Sequence, residues 1–105
     1  MPPHDLTQIL WWLFIAGEEL TMDESNIYAN LPTSPGLHGL IVEIDAVGGD
    51  LRYQINGVAA ANSHGFVPEN GARIIGPLQN WASLGLYGAA GVEACLTYYR
   101  EAIRG

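Results

Sequence analysis

The stretch "LIVEIDAVGGDLRYQI" sets the strongest constraint on the fold. Leu40, Val42, Ile44 and Ala46 recur with a period of two, and Glu43 and Asp45 fill the alternate positions. Residues two apart do not share a face of a helix but do share a face of a strand. The stretch is therefore expected to be a strand with one side buried, ended by a turn at Gly48-Gly49-Asp50. "LRYQI" follows as a second strand, with Leu51, Tyr53 and Ile55 inward and Arg52 and Gln54 outward. Two such strands cannot hide their apolar faces alone, so the rest of the chain must supply more sheet.

It does so in short pieces. "FVPENGARIIGP" offers a Pro-Glu-Asn-Gly turn and a strand around Ala72 to Ile75, ended by Gly76-Pro77. "ASLGLYG" and "VEACLTYYR" read as two further strands joined by the small loop Gly88 to Gly91. Short strands punctuated by 13 glycines and 6 prolines describe an all-β chain. A length of 105 residues suits one core. The expected fold is a single-domain antiparallel β-sandwich, jelly-roll or tulip-like.

The N-terminal run "ILWWLFIA" fits that pattern least. Leu6, Ile9, Leu10, Leu13 and Phe14 fall at helical spacing, with Asp5 and Gln8 as a capping-box-like start and Gly17 as a stop, so a short helix is preferred. Alternation of Ile9, Trp11, Leu13 and Ile15 makes a strand the rival. On this reading residues 1–16 form an apolar arm and residues 17–105 the sandwich domain. The run is far short of the roughly 20 residues that span a bilayer, and His4 and Asp5 precede it where a signal peptide carries Lys or Arg.

Charge narrows the function classes. The net charge is −7 and the only cations are Arg52, Arg73, Arg100 and Arg104. That set cannot supply the row of phosphate contacts a nucleic acid requires, and it offers nothing to an anionic membrane. Cys95 is the one cysteine, which leaves no internal disulfide and no multi-cysteine zinc site; a buried, inert thiol is expected. His4, His38 and His64 show no ligand spacing, so no metal is expected.

Ser63-His64 is no catalytic pair, because neighbours in an extended loop point in opposite directions. Gly85, Gly88 and Gly91 do not match a phosphate-binding pattern and suit a strand end and a turn. Glu18-Glu19 and Asp23-Glu24 read as a solvated acidic edge rather than as glycosidase carboxylates. Neither an enzymatic activity nor a cofactor is expected. What remains is a surplus of aromatics expected at the surface: Trp11, Trp12, Trp81, Tyr87, Tyr98 and Tyr99. Such residues suit protein interfaces and also stack on sugar rings.

From Ala16 to Arg100 the sequence resembles small tailed-phage virion proteins of the capsid decoration, or cement, type. The resemblance rests on "AGEELT", on "GGDLRYQINGVAAANSHG" and on "ACLTYYR" as the last strand. Arg52-Tyr53, Asn56-Gly57, the small residues Ala59 to Ser63, and Gly65 occupy the places of that family's Arg-aromatic strand, turn and closing loop. The chain lacks the family's proline near Ala59 or Ala60, and "ILWWLF" stands as an extra N-terminal element.

The resemblance implies a trimer on the outside of a phage head shell, with the major capsid protein as partner. It also implies stabilisation by avidity rather than by chemistry. Trp11, Trp12, Leu13 and Phe14 are then the expected capsid or intersubunit contact, being the largest apolar group the sandwich pattern leaves over. The alternatives are a tail or neck component, or a carbohydrate-binding module stacking sugars on Trp81, Tyr87 and Tyr98. In the central loop, Asn56-Gly57 is expected to turn, Ser63 and His64 to close the loop, and Gly57 is the position at which a positive φ would exclude a side chain.

Overall fold

The computed structural model describes residues 10–32, 39–56, 58–59 and 65–103. Nine strands run through them: β1 (Leu10–Thr21), β2 (Ile27–Tyr28), β3 (Leu40–Val47), β4 (Leu51–Ile55), β5 (Val58–Ala59), β6 (Phe66–Val67), β7 (Ala72–Leu78), β8 (Leu84–Tyr87) and β9 (Glu93–Ile103). One sheet has the order β1-β9-β3-β7. The other has the order β2-β8-β4-β5, with β6 sharing the same edge of β4 as β5. Every pairing is antiparallel. The all-β sandwich expected from the alternation is the observed architecture.

Alternation builds the core as expected. Leu40, Val42, Ile44 and Ala46 of β3 meet Ala94, Leu96 and Tyr98 of β9 and, from the other sheet, Leu51, Tyr53, Leu84 and Leu86. All are nearly or fully buried. Ile41 is fully buried as well, although alternation puts it on the other side of β3, in register with Tyr99. Gly48 and Gly49 carry the chain from β3 in one sheet to β4 in the other, and the loop from Gly88 to Gly91 does the same between β8 and β9.

These crossings lie at one end of the sandwich, which is closed by backbone bonds. Met22 N–H donates to Val92 O (2.7 Å), Gly91 N–H to Met22 O (2.9 Å) and Glu24 N–H to Gly88 O (3.1 Å). The expected Pro-Glu-Asn-Gly turn is present, with Gly71 N–H donating to Pro68 O at 2.8 Å and Asn70 at φ 62°. The strand after it does not stop at Gly76-Pro77, which form a cis peptide inside β7.

The preferred N-terminal helix is not formed. From Leu10 onward the run is β1, paired with β9 from Leu10↔Ile103 to Thr21↔Glu93, and Gly17 lies mid-strand opposite Thr97 instead of ending a helix. Both periodicities fit the local sequence, and eleven cross-strand partners decide between them. β1 runs unbroken across positions 16 and 17. Leu6 and Ile9, and with them the proposed capping residues, lie outside the described residues. So do Gly57, Ser63 and His64, as well as His4 and His38. Asn56, which opens the turn, is left-handed at φ 55°.

Candidate functional site

β1 is the edge strand of its sheet. Its ladder with β9 extends past the rest of the sandwich. β3 follows β9 only as far as Leu40↔Arg100, whereas β1 continues through Trp12↔Glu101 and Trp11↔Ala102 to Leu10↔Ile103. Among the described residues, the last three positions of β9 thus pair with β1 alone, as a two-stranded ribbon overhanging the end of the fold opposite the closed crossings. Two strands without a third are marginally stable in water.

A register shift between Phe14 and Ala16 sets which side chains occupy this ribbon. Strict alternation would put Phe14 and Ala16 on one face. The extra residue, Ile15, lets Phe14 sit opposite Tyr99 on the outer face while Ala16 sits opposite Tyr98 on the core side. Trp12 and Phe14 therefore flank Tyr99, with ring centroids at 5.5 and 6.5 Å and inclinations of 49° and 78°. These are the tilted and edge-on geometries that aromatic quadrupoles favour. The cluster remains open to solvent, with Trp12 45% and Phe14 67% exposed. Two of the four expected contact residues, Trp12 and Phe14, are thus brought together at the surface, while Leu13, opposite Arg100, alternates to the other face; the side chain of Trp11 lies outside the described residues.

Further along the same outer face the chemistry changes. Glu43 and Asp45 of β3 share it with Glu19, Glu93 and Cys95. Tyr99 marks the border: its hydroxyl donates to Glu43 Oε1 at 3.3 Å, and burial followed by the charge of Glu43 pushes its phenol up. Cys95 is half-buried on this face rather than in the core as expected, because the inward positions of β9 belong to Ala94 and Leu96. Burial, then Glu19, Glu93 and Asp45, raises its thiol above the ordinary value, which suppresses thiolate reactivity. Among the described residues no three His, Cys, Asp or Glu side chains are placed to hold a metal ion.

Two other aromatics leave the expected surface group. Tyr98 is 1% exposed, and its hydroxyl donates to Glu18 Oε1. Trp81 packs against the core and donates its indole N–H to Leu40 O at 3.3 Å. Tyr98 thus has no face open to a ligand, and Trp81 is only partly exposed. The alternation Ala94, Leu96, Tyr98 within the last strand carried the signal that Tyr98 faces in. Glu18 likewise is not a solvated carboxylate. Besides Tyr98 it accepts Asn30 N–H (2.9 Å) and Asn30 Nδ2–H (2.8 Å), pinning the chain that follows β2 to the middle of β1.

No protein-family model matches the sequence, and no curated protein matches it.

Proposed function

We propose that this chain is a virion structural protein of a tailed phage, a decoration or cement subunit that binds the outside of the head shell as a trimer and reinforces it by association alone. The observation that carries the reading is the exposed apolar end of β1: Trp12 on the overhanging β1/β9 ribbon and Phe14 next to it on the same outer face, with Leu13 exposed on the opposite face. A cluster of large exposed apolar side chains at one tip is the composition of a protein contact. The resemblance of "GGDLRYQINGVAAANSHG" and "ACLTYYR" to decoration proteins supplies the kind of partner, the major capsid protein. A trimer holding three such tips engages several shell subunits at once and gains avidity without any new contact type.

The test is co-sedimentation with purified shells of the parent phage, together with the mass of the free protein by analytical ultracentrifugation. Trp12→Ala plus Phe14→Ala should abolish both shell binding and trimer formation while leaving the circular dichroism of the sandwich unchanged; adding Trp11→Ala should not restore either. Full shell binding by the double variant would remove the ribbon from the mechanism. Binding to tails but not to shells would favour a tail or neck component.

A further inference from the structure

The outer face of the second sheet carries a different arrangement, on the opposite side of the sandwich from Tyr99. Along β8, Leu84 and Leu86 point into the core, so Gly85 and Tyr87 point out. Registers place Gly85 between Tyr28 and Gln54, and Tyr87 beside Arg52. A hollow of about 200 Å³ opens beside these positions, lined by Asn26, Arg52, Tyr53, Gln54, Gly85, Leu86 and Tyr87. A Cβ on Gly85 would come within 3.0 Å of Cε1 of Tyr28, so that ring packs directly over Gly85. Tyr28 and Tyr87 are both about half-exposed. The Arg52 guanidinium lies 4.7 Å from the centroid of the Phe66 ring. Stacking occupies the flat face of a guanidinium and leaves its rim of N–H donors for a ligand.

We propose that this hollow is a subsite for one neutral hexose unit of a polysaccharide. Its volume is below the roughly 300 Å³ at which drug-sized pockets begin, which limits it to a single small ring. A pyranose has an apolar C–H face that suits a tyrosine ring and a rim of hydroxyls that both donate and accept. Asn26 and Gln54 supply donors and acceptors in one group, and Arg52 supplies donors only. Arg52 is the one charged residue lining the hollow, and the net charge of −7 of the chain repels an acidic polymer as a whole, which favours a neutral unit. Tyr87 is the residue this site shares with the sugar-stacking alternative read from the sequence; Trp81 and Tyr98 are replaced by Asn26, Gln54 and Arg52. The alternation in "LGLY" and "LRYQI", which turns a glycine and two polar residues outward side by side, is the signal that locates it.

The site stands independently of the ribbon, and its test does not use shells as the primary readout. ¹⁵N-labelled full chain is titrated with maltohexaose, cellohexaose and mannohexaose, with tetragalacturonate as the acidic control. At least one neutral hexaose should shift the amides of Asn26, Gln54, Gly85 and Tyr87 and saturate at millimolar concentration, and Tyr87→Ala should abolish the shifts. Should Tyr87→Ala fail to fold, Gln54→Ala should bind about fivefold more weakly, the loss of one hydrogen bond. The proposal is overturned if none of the three neutral sugars moves these amides, if only tetragalacturonate does, or if the shifts survive both substitutions. Loss of shell co-sedimentation in Tyr87→Ala would also overturn it, by assigning the hollow to a protein contact.

Discussion

Asn56 stands at φ 55° on an exposed turn, and its side chain ties three backbone groups together. Oδ1 accepts Ala82 N–H at 2.5 Å and Ser83 N–H at 3.3 Å, and Nδ2 donates to Asn80 O at 2.7 Å. Asn56→Ala loses these bonds and also meets the left-handed penalty of about 1 kcal/mol, whereas Asn56→Gly loses only the bonds. Chemical denaturation should therefore rank wild type above Asn56→Gly, and Asn56→Gly above Asn56→Ala by about 1 kcal/mol. Equal stabilities for the two variants would show that the turn relaxes. Tyr98 makes a prediction about pH. Burial, reinforced by the hydrogen bond to Glu18, holds its phenol well above the ordinary value, so the folded state keeps a proton that the unfolded state releases near pH 10. The stabilisation is complete below that pH and declines as pH rises beyond it, because there the folded state binds more protons than the unfolded. Urea midpoints measured from pH 9 to 11 should fall steeply for wild type and less steeply for Tyr98→Phe. An unchanged slope would place the alkaline sensitivity elsewhere.

At the scale of elements, β9 and the tip of β1 should respond in opposite ways to truncation. Leu96→Ala removes a side chain that is 2% exposed at the centre of the sheet, and should cost about 2 to 5 kcal/mol in urea unfolding. Trp12→Ala removes a larger group from a half-exposed position on the ribbon and should cost less than Leu96→Ala in the same measurement. If Trp12→Ala proved the more damaging, the ribbon would be part of the folding core. This contrast also explains what the sequence revealed. Leu40 to Ala46 and Leu51 to Tyr53 were legible because each strand buries one face, and burial writes a period of two directly into residue type. The run from Leu10 to Phe14 was not, because apolar side chains on both faces satisfy helical and strand periods at once. Its strand state is decided by Glu93 to Ile103, a partner some eighty residues away that no local pattern encodes. The bulge at Ile15 was hidden for the same reason: an extra residue is visible only against its partner strand. Of the proposed contact, the residue types were legible, while the gathering of Trp12 and Phe14 around Tyr99 depended on that register.

At the scale of the molecule, an apolar tip and a strongly acidic body act against each other. From Leu6 to Gly17 the sequence carries no charged residue, so the net charge of −7 resides outside that run and includes the acidic outer face of Glu19, Glu43, Asp45 and Glu93. Bringing several chains together at their tips gains apolar burial, which is indifferent to pH, and costs electrostatic repulsion, which is not. The repulsion falls as pH approaches the isoelectric value of about 4.6, and added salt screens it over about 8 to 10 Å at 0.10 to 0.15 M. Free chains at fixed concentration should therefore show a higher mean mass at pH 5.5 than at pH 8 in low salt, and raising salt at pH 8 should reproduce part of the increase. Trp12→Ala plus Phe14→Ala should remain monomeric under all three conditions. Sedimentation equilibrium checks this directly. A wild-type mass that ignored both pH and salt would mean that charge does not oppose association, and a double variant that followed wild type would mean that a surface other than the ribbon drives it.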